Sequence, residues 1–437
     1  MSRRNWQKSE RPHCCRLIEI FLVLLGFTLA IGWSSITDAR ADEQSVPAAR
    51  ELEHIALRLK SAEQAVEKRL LSESLGLYLY GYLEGSYTQN FNNPSNRINQ
   101  LRSFDVNSNQ FRPNLAQFVL KRDAKHVGDW TDRLGFKLKF NAGKDSDFIG
   151  GVNLNPYADF QEFYVQYIAP VGRGLNLQFG QINSVVGYEV VESPRNANYS
   201  RSWLFGLGQP FTTTGIRASH EFNDQVSWSL GIINRINSNL SDERGEPWFE
   251  SALGLNLTQK VKLTLYGLVG PGMNGVPVGW GSLLLGGGFL SIQATEQASI
   301  VLESYYANQT NSSMVNPGKN ARWNGLTGYV IYDFTKQWGV RVRGEIFEDP
   351  GGFTTCGGTT ASQPRANVCF GATSTTPAPP VGQTLWEVTA TLQFKPFSSL
   401  TTRLEYRYDK SNQNVFQLGG RATSYQPTLS FEAIYAF

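Results

Sequence analysis

The chain has 437 residues, with 40 Lys+Arg against 37 Asp+Glu, 42 Gly and 4 Cys. The basic surplus belongs to residues 1–41, which hold six of the 40 basic and three of the 37 acidic side chains, leaving 34 of each in the remainder. A neutral remainder offers no basic footprint for nucleic acid, and the four His have no second ligand at metal-binding spacing, so neither metal nor cofactor is expected.

Arg3, Arg4, Lys8, Arg11 and Arg16 precede an apolar run from Ile20 to Trp33, and Ala39-Arg40-Ala41 follows. This order of charge, apolar run and small residues predicts a secretory signal peptide over residues 1–41, cleaved before Asp42. The run is shorter than the roughly 20 residues of a spanning helix. Residues 42–75 predict a short periplasmic helix, since Leu52, Ile55, Leu59, Ala62 and Val66 recur at spacings of three and four. That seam suits either a coiled coil holding a trimer together or an amphipathic linker lying against a barrel mouth.

From residue 76 onward the period changes to two. Leu134, Phe136, Leu138 and Phe140 alternate with Gly135, Lys137, Lys139 and Asn141. The same one-face pattern recurs at Leu175–Phe179, at Val340–Ile346 and at Leu404–Tyr408. Connections alternate in length. Tight turns are expected near Val171-Gly172, Asn223-Asp224, Gln259-Lys260, Glu296-Gln297, Lys336-Gln337 and Phe397-Ser398, with long loops such as 92–109, 187–209 and 348–383 between them. Short turns on one side and long loops on the other predict an all-β fold. The expectation is a transmembrane antiparallel β-barrel of about 16 strands over residues 76–437, for which a slightly negative mean hydropathy is normal. Trp248, Trp280, Trp323 and Trp386 where long loops enter strands, with Trp338 and Phe397 beside short turns, suggest two interfacial aromatic girdles.

By this count, 187–209 is the third long loop. A barrel of 16 strands encloses an aqueous channel that something must narrow, so Glu189, Glu192, Arg195 and Arg201 are candidates for a constriction formed by that loop folding inward. Alternation aims Lys137, Lys139, Arg217, Arg341, Arg343, Glu345, Arg403, Glu405 and Arg407 at the lumen wall, a mixture that predicts weak ion selectivity, mildly anionic if the basic residues cluster at one wall. Cys356 and Cys369, close together in an exported chain, predict one loop disulfide. The chain stops on Leu429–Phe437, whose alternate residues are apolar. A closed barrel can end on such a strand, and Tyr435 with the terminal Phe437 resembles the assembly signal read by barrel-insertion machinery.

Two further segments carry a family likeness. Gly81–Pro94, followed by Asn99, Arg102, Phe104 and Asp105, resembles the opening of the OmpL-like β-barrel porin family. Gly187–Phe205, continuing to Gly215-Ile-Arg217, is similar to that family's central signature. The resemblance implies a diffusion channel in the outer membrane, without fixing its solute. The expectation is therefore a bacterial outer-membrane porin, a homotrimer embedded among outer-membrane lipid and lipopolysaccharide and passing small hydrophilic solutes or ions. Enzyme motifs are missing: there is no G-x-S-x-G elbow and no P-loop. Asp105-x-Asn107-x-Asn109 starts like a calcium loop but lacks its glycine and its last carboxylate. A phospholipase-like barrel enzyme, with His220 as its one candidate, and a structural or adhesive barrel remain the alternatives.

Overall fold

The computed structural model describes residues 70–72, 76–149, 152–155, 157–236, 246–272, 282–356 and 380–437. Sixteen long strands run through them in chain order: β1 (Leu77–Asn90), β2 (Gln110–Arg122), β3 (Leu134–Ala142), β4 (Ala158–Ala169), β5 (Leu175–Asn183), β6 (Thr212–Glu221), β7 (Val226–Ile236) and β8 (Trp248–Asn256). The second half is β9 (Val261–Gly270), β10 (Leu283–Gln293), β11 (Ala298–Gln309), β12 (Ala321–Asp333), β13 (Trp338–Asp349), β14 (Gln383–Phe397), β15 (Leu400–Ser411) and β16 (Tyr425–Ala436). Each strand pairs antiparallel with its neighbours in sequence, and β16 pairs back onto β1 from Tyr82↔Ala436 to Asn90↔Thr428. The sheet is a closed barrel of 16 strands, so no edge is left unpaired.

Closure follows from the alternation. Along β13, Val342 and Ile346 lie exposed on the outside while Arg341, Arg343, Glu345 and Phe347 are buried inside. Leu83, Phe179, Ile216, Leu302, Val388 and Phe431 continue the exposed apolar belt around other strands. Buried charge within and exposed aliphatics without is the reverse of a water-soluble barrel and suits a hydrocarbon surrounding. No helix among the described residues is long and apolar enough to cross a membrane.

The seam carries the terminal residue. Gly81 N donates to the Phe437 carbonyl at 3.1 Å, Phe437 N donates back to the Gly81 carbonyl at 3.0 Å, and the Phe437 ring packs 5.7 Å from Phe118. A Cβ on Gly81 would collide with the Gln117 carbonyl oxygen and the Phe437 ring. We expect Gly81→Ala to weaken the closure by about 1–3 kcal/mol, read as a lower urea midpoint of the folded barrel in detergent; an unchanged midpoint would mean the seam relaxes freely.

The tight connections fall at 170–174, 222–225, 257–260, 294–297, 334–337 and 398–399, as expected, but the first short-side connection is a longer one over 123–133. Asp129 holds it by accepting from the Thr131 amide and hydroxyl, and Lys125 pairs with Asp132. Gly128-Asp129 marks the turn in the sequence, but the 11-residue length of the connection set it apart from the tight ones. Leu70–Ser72, placed by the sequence in the expected helix, is a short strand against the start of β1. The signal peptide, the rest of that helix, Trp280 and Cys369 lie outside the described residues, and the disulfide with them.

The girdle expectation needs correction. Trp338, Trp386 and Phe397 are exposed on the outer face, but Trp248 and Trp323 are each only 1 % exposed. They share the inward faces of Glu250 and Thr327, and loop residues inside the barrel cover them. Leu101, Trp203, Leu204, Leu207, Phe353 and Phe416, all from long connections, pack with Trp248, Trp323, Leu283, Leu285 and Phe347 of the wall. A second cluster gathers Phe104, Phe148, Phe205 and Phe211 against Tyr82 and Ile434. The long-loop half of the lumen thus has a hydrophobic core of its own.

Candidate functional site

The connection over 184–211, between β5 and β6, is the third long loop. Its backbone leaves the sheet and enters the lumen, where every N–H and C=O without a partner would cost free energy. Part of the demand is met within the loop. Arg201 donates to the carbonyls of Val190 at 3.3 Å, Val191 at 2.9 Å and Tyr199 at 2.6 Å, and to the Ser193 hydroxyl at 2.9 Å. The Asn196 amide bridges Val190 and Glu192, and Pro194 starts the tight turn Ser193–Arg195. Gly187, at φ +95°, brings the two stems together, since any side chain there would strike Gln209.

The remaining demand is met from the wall opposite. Glu345 on β13 accepts from the Trp203 and Leu204 amides at 2.6 and 2.7 Å. Glu405 on β15 accepts from the Tyr199 and Ser200 amides at 2.7 and 2.9 Å. Glu303 on β11 accepts from the Tyr188 amide at 3.0 Å. The basic residues take the carbonyls: Arg343 binds Ser200 O at 2.6 Å, Arg403 binds Ser193 O at 3.2 Å and Asn196 O at 2.7 Å, and Arg407 binds Arg201 O at 2.6 Å. Charge-assisted bonds of this kind are the stronger class. Wall ion pairs complete the network, Arg343 with Glu387 at 2.6 Å and Arg403 with Glu432 at 3.0 Å.

The four loop residues singled out from the sequence therefore separate. Glu189 is buried, accepting from Ser202 N at 2.7 Å and pairing with Arg343 at 3.0 Å. Glu192 is buried against Lys139, Gln161 and Asn183. Arg201 is the internal pin. Arg195 alone of the four is exposed. Burial disfavours charge on Glu192, yet Lys139 and Arg195 outweigh it and hold its carboxyl well below the usual carboxylate range. Its tie to Lys139 is present above that range and is lost only as pH falls through the lowered value. Burial, reinforced by Glu189 and Glu303, pushes the Tyr188 hydroxyl up to about 12.

The wall candidates also divide. Arg343, Glu345, Arg403, Glu405 and Arg407 all touch loop 3. Lys137 and Lys139 share Glu162 at 2.9 and 2.5 Å beneath the loop tip. Arg217 pairs with Glu250 at 2.5 Å and donates to Asn183 O at the loop's root. Arg341 lies away from the loop, paired with Asp333 at 2.6 Å near a short turn. The sequence reading missed the contribution of the first long loop. Arg102 is buried in contact with Asp105 and with Asp409 of β15, and the Trp203 indole donates to Leu101 O at 2.9 Å. The calcium-loop likeness dissolves here, since Asp105 pairs with Arg102 and Asn107 accepts from Arg112. Among the described residues no cluster of His, Cys, Asp and Glu could hold a metal.

A closed barrel with a charged lumen, an apolar belt and loops packed inside it defines the porin class of outer-membrane proteins. The chain belongs to the family described as "Putative beta-barrel porin-2, OmpL-like", whose model matches residues 76–437. Its fold is similar to the outer-membrane channel DcaP of Acinetobacter baumannii, at 11 % identity and TM-score 0.55, covering 84 % of this chain and 99 % of that one. OmpF of Salmonella typhi, solved in complex with daunomycin, is similar at 12 % identity and TM-score 0.52, covering 84 % and 99 %. An anion-selective porin from Comamonas acidovorans is similar at 9 % identity and TM-score 0.51, covering 83 % and 99 %. Comparison with curated proteins found no match.

Proposed function

We propose that the protein is a diffusion channel of the bacterial outer membrane, reached after cleavage of the signal peptide and insertion through the Tyr435–Phe437 end, and that loop 3 sets the width of its lumen. The observation that carries this reading is the set of bonds from Glu345, Glu405, Arg343, Arg403 and Arg407 to the loop backbone, which span the barrel from the strands where the loop is rooted to those opposite. Solutes would pass the loop tip at Arg195. Arg195, exposed at the tip, would add positive charge to the local field there, favouring small anions. The outer apolar belt and the heptad seam before residue 70 support a homotrimer among outer-membrane lipids and lipopolysaccharide.

Planar-bilayer recording tests this directly. The refolded barrel should give stable conductance steps grouped in threes, with a reversal potential under a KCl gradient that shows chloride preferred over potassium. Arg195→Gln should move that potential toward zero or reverse it. A folded barrel that never conducts would defeat the channel reading, and an unshifted potential in Arg195→Gln would place the selectivity elsewhere.

A further inference from the structure

The basic side chains that anchor loop 3 are all taken up, but Lys395 on β14 is not. It continues the inward face of Thr391 and Gln393, half-buried on the short-turn side of the loop. Among the described residues nothing bonds or pairs with its Nζ. The charges that act on it are Arg403, Arg341 and Asp333. Arg403 is already paired with Glu432 at 3.0 Å, and Asp333 is held by Arg341 at 2.6 Å. These three basic and two acidic groups carry one net positive charge, and it resides on Lys395. The backbone fixes its place. Pairing of β14 with β15 slips between Phe394 and Phe397, a bulge occupied by Lys395 and Pro396. Proline has no N–H for the ladder, so Gln337 of the neighbouring turn fastens the bulge. Lys395 N donates to Gln337 O at 2.8 Å, and the Gln337 amide donates to Pro396 O at 3.3 Å. Bulges of this kind re-aim a side chain.

We infer that Lys395 is an anion-binding station of the lumen, one that takes a small oxyanion beside the loop tip on the short-turn side. The inference rests on the channel reading above and names a solute class and the residue that selects it. A half-buried ammonium without a counter-ion, beside two guanidinium groups, is unfavourable alone and is relieved when an anion sits next to it. Its three N–H donors on a compact charge suit oxygen acceptors from several directions. Arg403, which acts on Lys395, also holds Ser193 O and Asn196 O, on either side of Pro194 and Arg195. The station thus lies next to the tip that the solute passes. One charged group keeps the hold weak enough for the anion to leave again, as conduction requires. An inorganic oxyanion and the carboxylate of a short organic acid share this chemistry.

Sulfate and acetate are the probes, titrated calorimetrically at low salt into the full barrel folded in detergent. At least one should bind, and Lys395→Gln should weaken it about tenfold, the scale of one charged hydrogen bond. Lys395→Arg should keep most of the affinity, since the charge stays. Lys262→Gln, which removes an equal charge from β9, should leave it unchanged. The Lys395 side chain has no bond to lose, so Lys395→Gln should fold, and the shift of folded barrels on an unheated gel checks that it has. The tighter probe names the source, sulfate an inorganic anion and acetate an organic acid. Binding of neither probe, equal affinity in Lys395→Gln, or an equal loss in Lys262→Gln would overturn the station. Bilayer currents separate the two readings. A conducting barrel without oxyanion binding loses the station and keeps the channel, whereas binding at Lys395 in a barrel that never conducts keeps the station and removes the channel.

Discussion

A barrel in which residues 187–209 are replaced by a short Gly–Ser turn should fold and conduct severalfold more current than the native chain. The sheet itself does not depend on the loop, since sixteen antiparallel pairings close without it. The wall charges released by the deletion are partly self-sufficient. Arg403 keeps Glu432, Arg343 keeps Glu387 and Arg217 keeps Glu250. Glu345 and Glu405 lose their amide donors, but the same deletion brings them water, which supplies the missing bonds. Trp248, Trp323 and Leu285 would become wet, so stability should fall while the open cross-section grows. The expected readout is a larger single-channel step with weaker ion preference, because Arg195 leaves with the loop. Steps of native size would mean that another connection limits the flow.

Arg343→Met should be the most damaging single substitution in the lumen. The Arg343 side chain is 0 % exposed and donates to Glu387 at 2.6 Å, Glu189 at 3.0 Å and the Ser200 carbonyl at 2.6 Å. Methionine fills similar volume but strips Glu189 of its cation and leaves Glu387 only Arg407, at 3.7 Å. Breaking a buried pair from one side costs about 3–5 kcal/mol, most of it the stranded charge. A urea midpoint in detergent reads the loss, and the bilayer current should turn noisy as the middle of loop 3 comes free. Adding Glu189→Gln and Glu387→Gln to Arg343→Met should recover a large part of the midpoint, because the three residues act as one unit. A midpoint for Arg343→Met within a few tenths of a kcal/mol of the native value would show that the triad is not formed in the folded barrel.

The barrel was legible because its code is local. Val340, Val342 and Ile346 against Arg341, Arg343 and Glu345 state, within one strand, which side faces lipid and which faces the lumen. Turn chemistry near Asn223-Asp224 or Gln297 is equally local. What alternation cannot state is the partner. Arg343 pointing inward reads the same whether it meets water, a solute or the carbonyl of Ser200, which lies 143 residues away in the chain. For the same reason Trp248 and Trp323 resembled girdle residues at strand ends: their position along the strand was visible, but not the Leu204 and Leu207 that cover them. Glu189, Glu192 and Arg201 resembled eyelet charges because charge in an inward loop suggests solute contact. Burial of a loop backbone creates a competing need, and these side chains serve it. Arg102 could have been suspected, since a basic residue amid Leu101, Ser103 and Phe104 is poorly suited to an exposed loop. Its partner Asp409 could not.

The anchors of loop 3 also bear on how readily the protein could acquire a new cargo. Glu345, Glu405, Arg403 and Arg407 hold main-chain atoms of the loop, which every residue type except proline supplies in full. Side chains at the tip can therefore be exchanged without unfastening the segment that presents them. Under the proposed reading, substitution at Arg195 would change the charge at the loop tip while these anchors stay in place, so mutation, or an engineer, could explore new solutes in single steps that cost the cell little in barrel assembly.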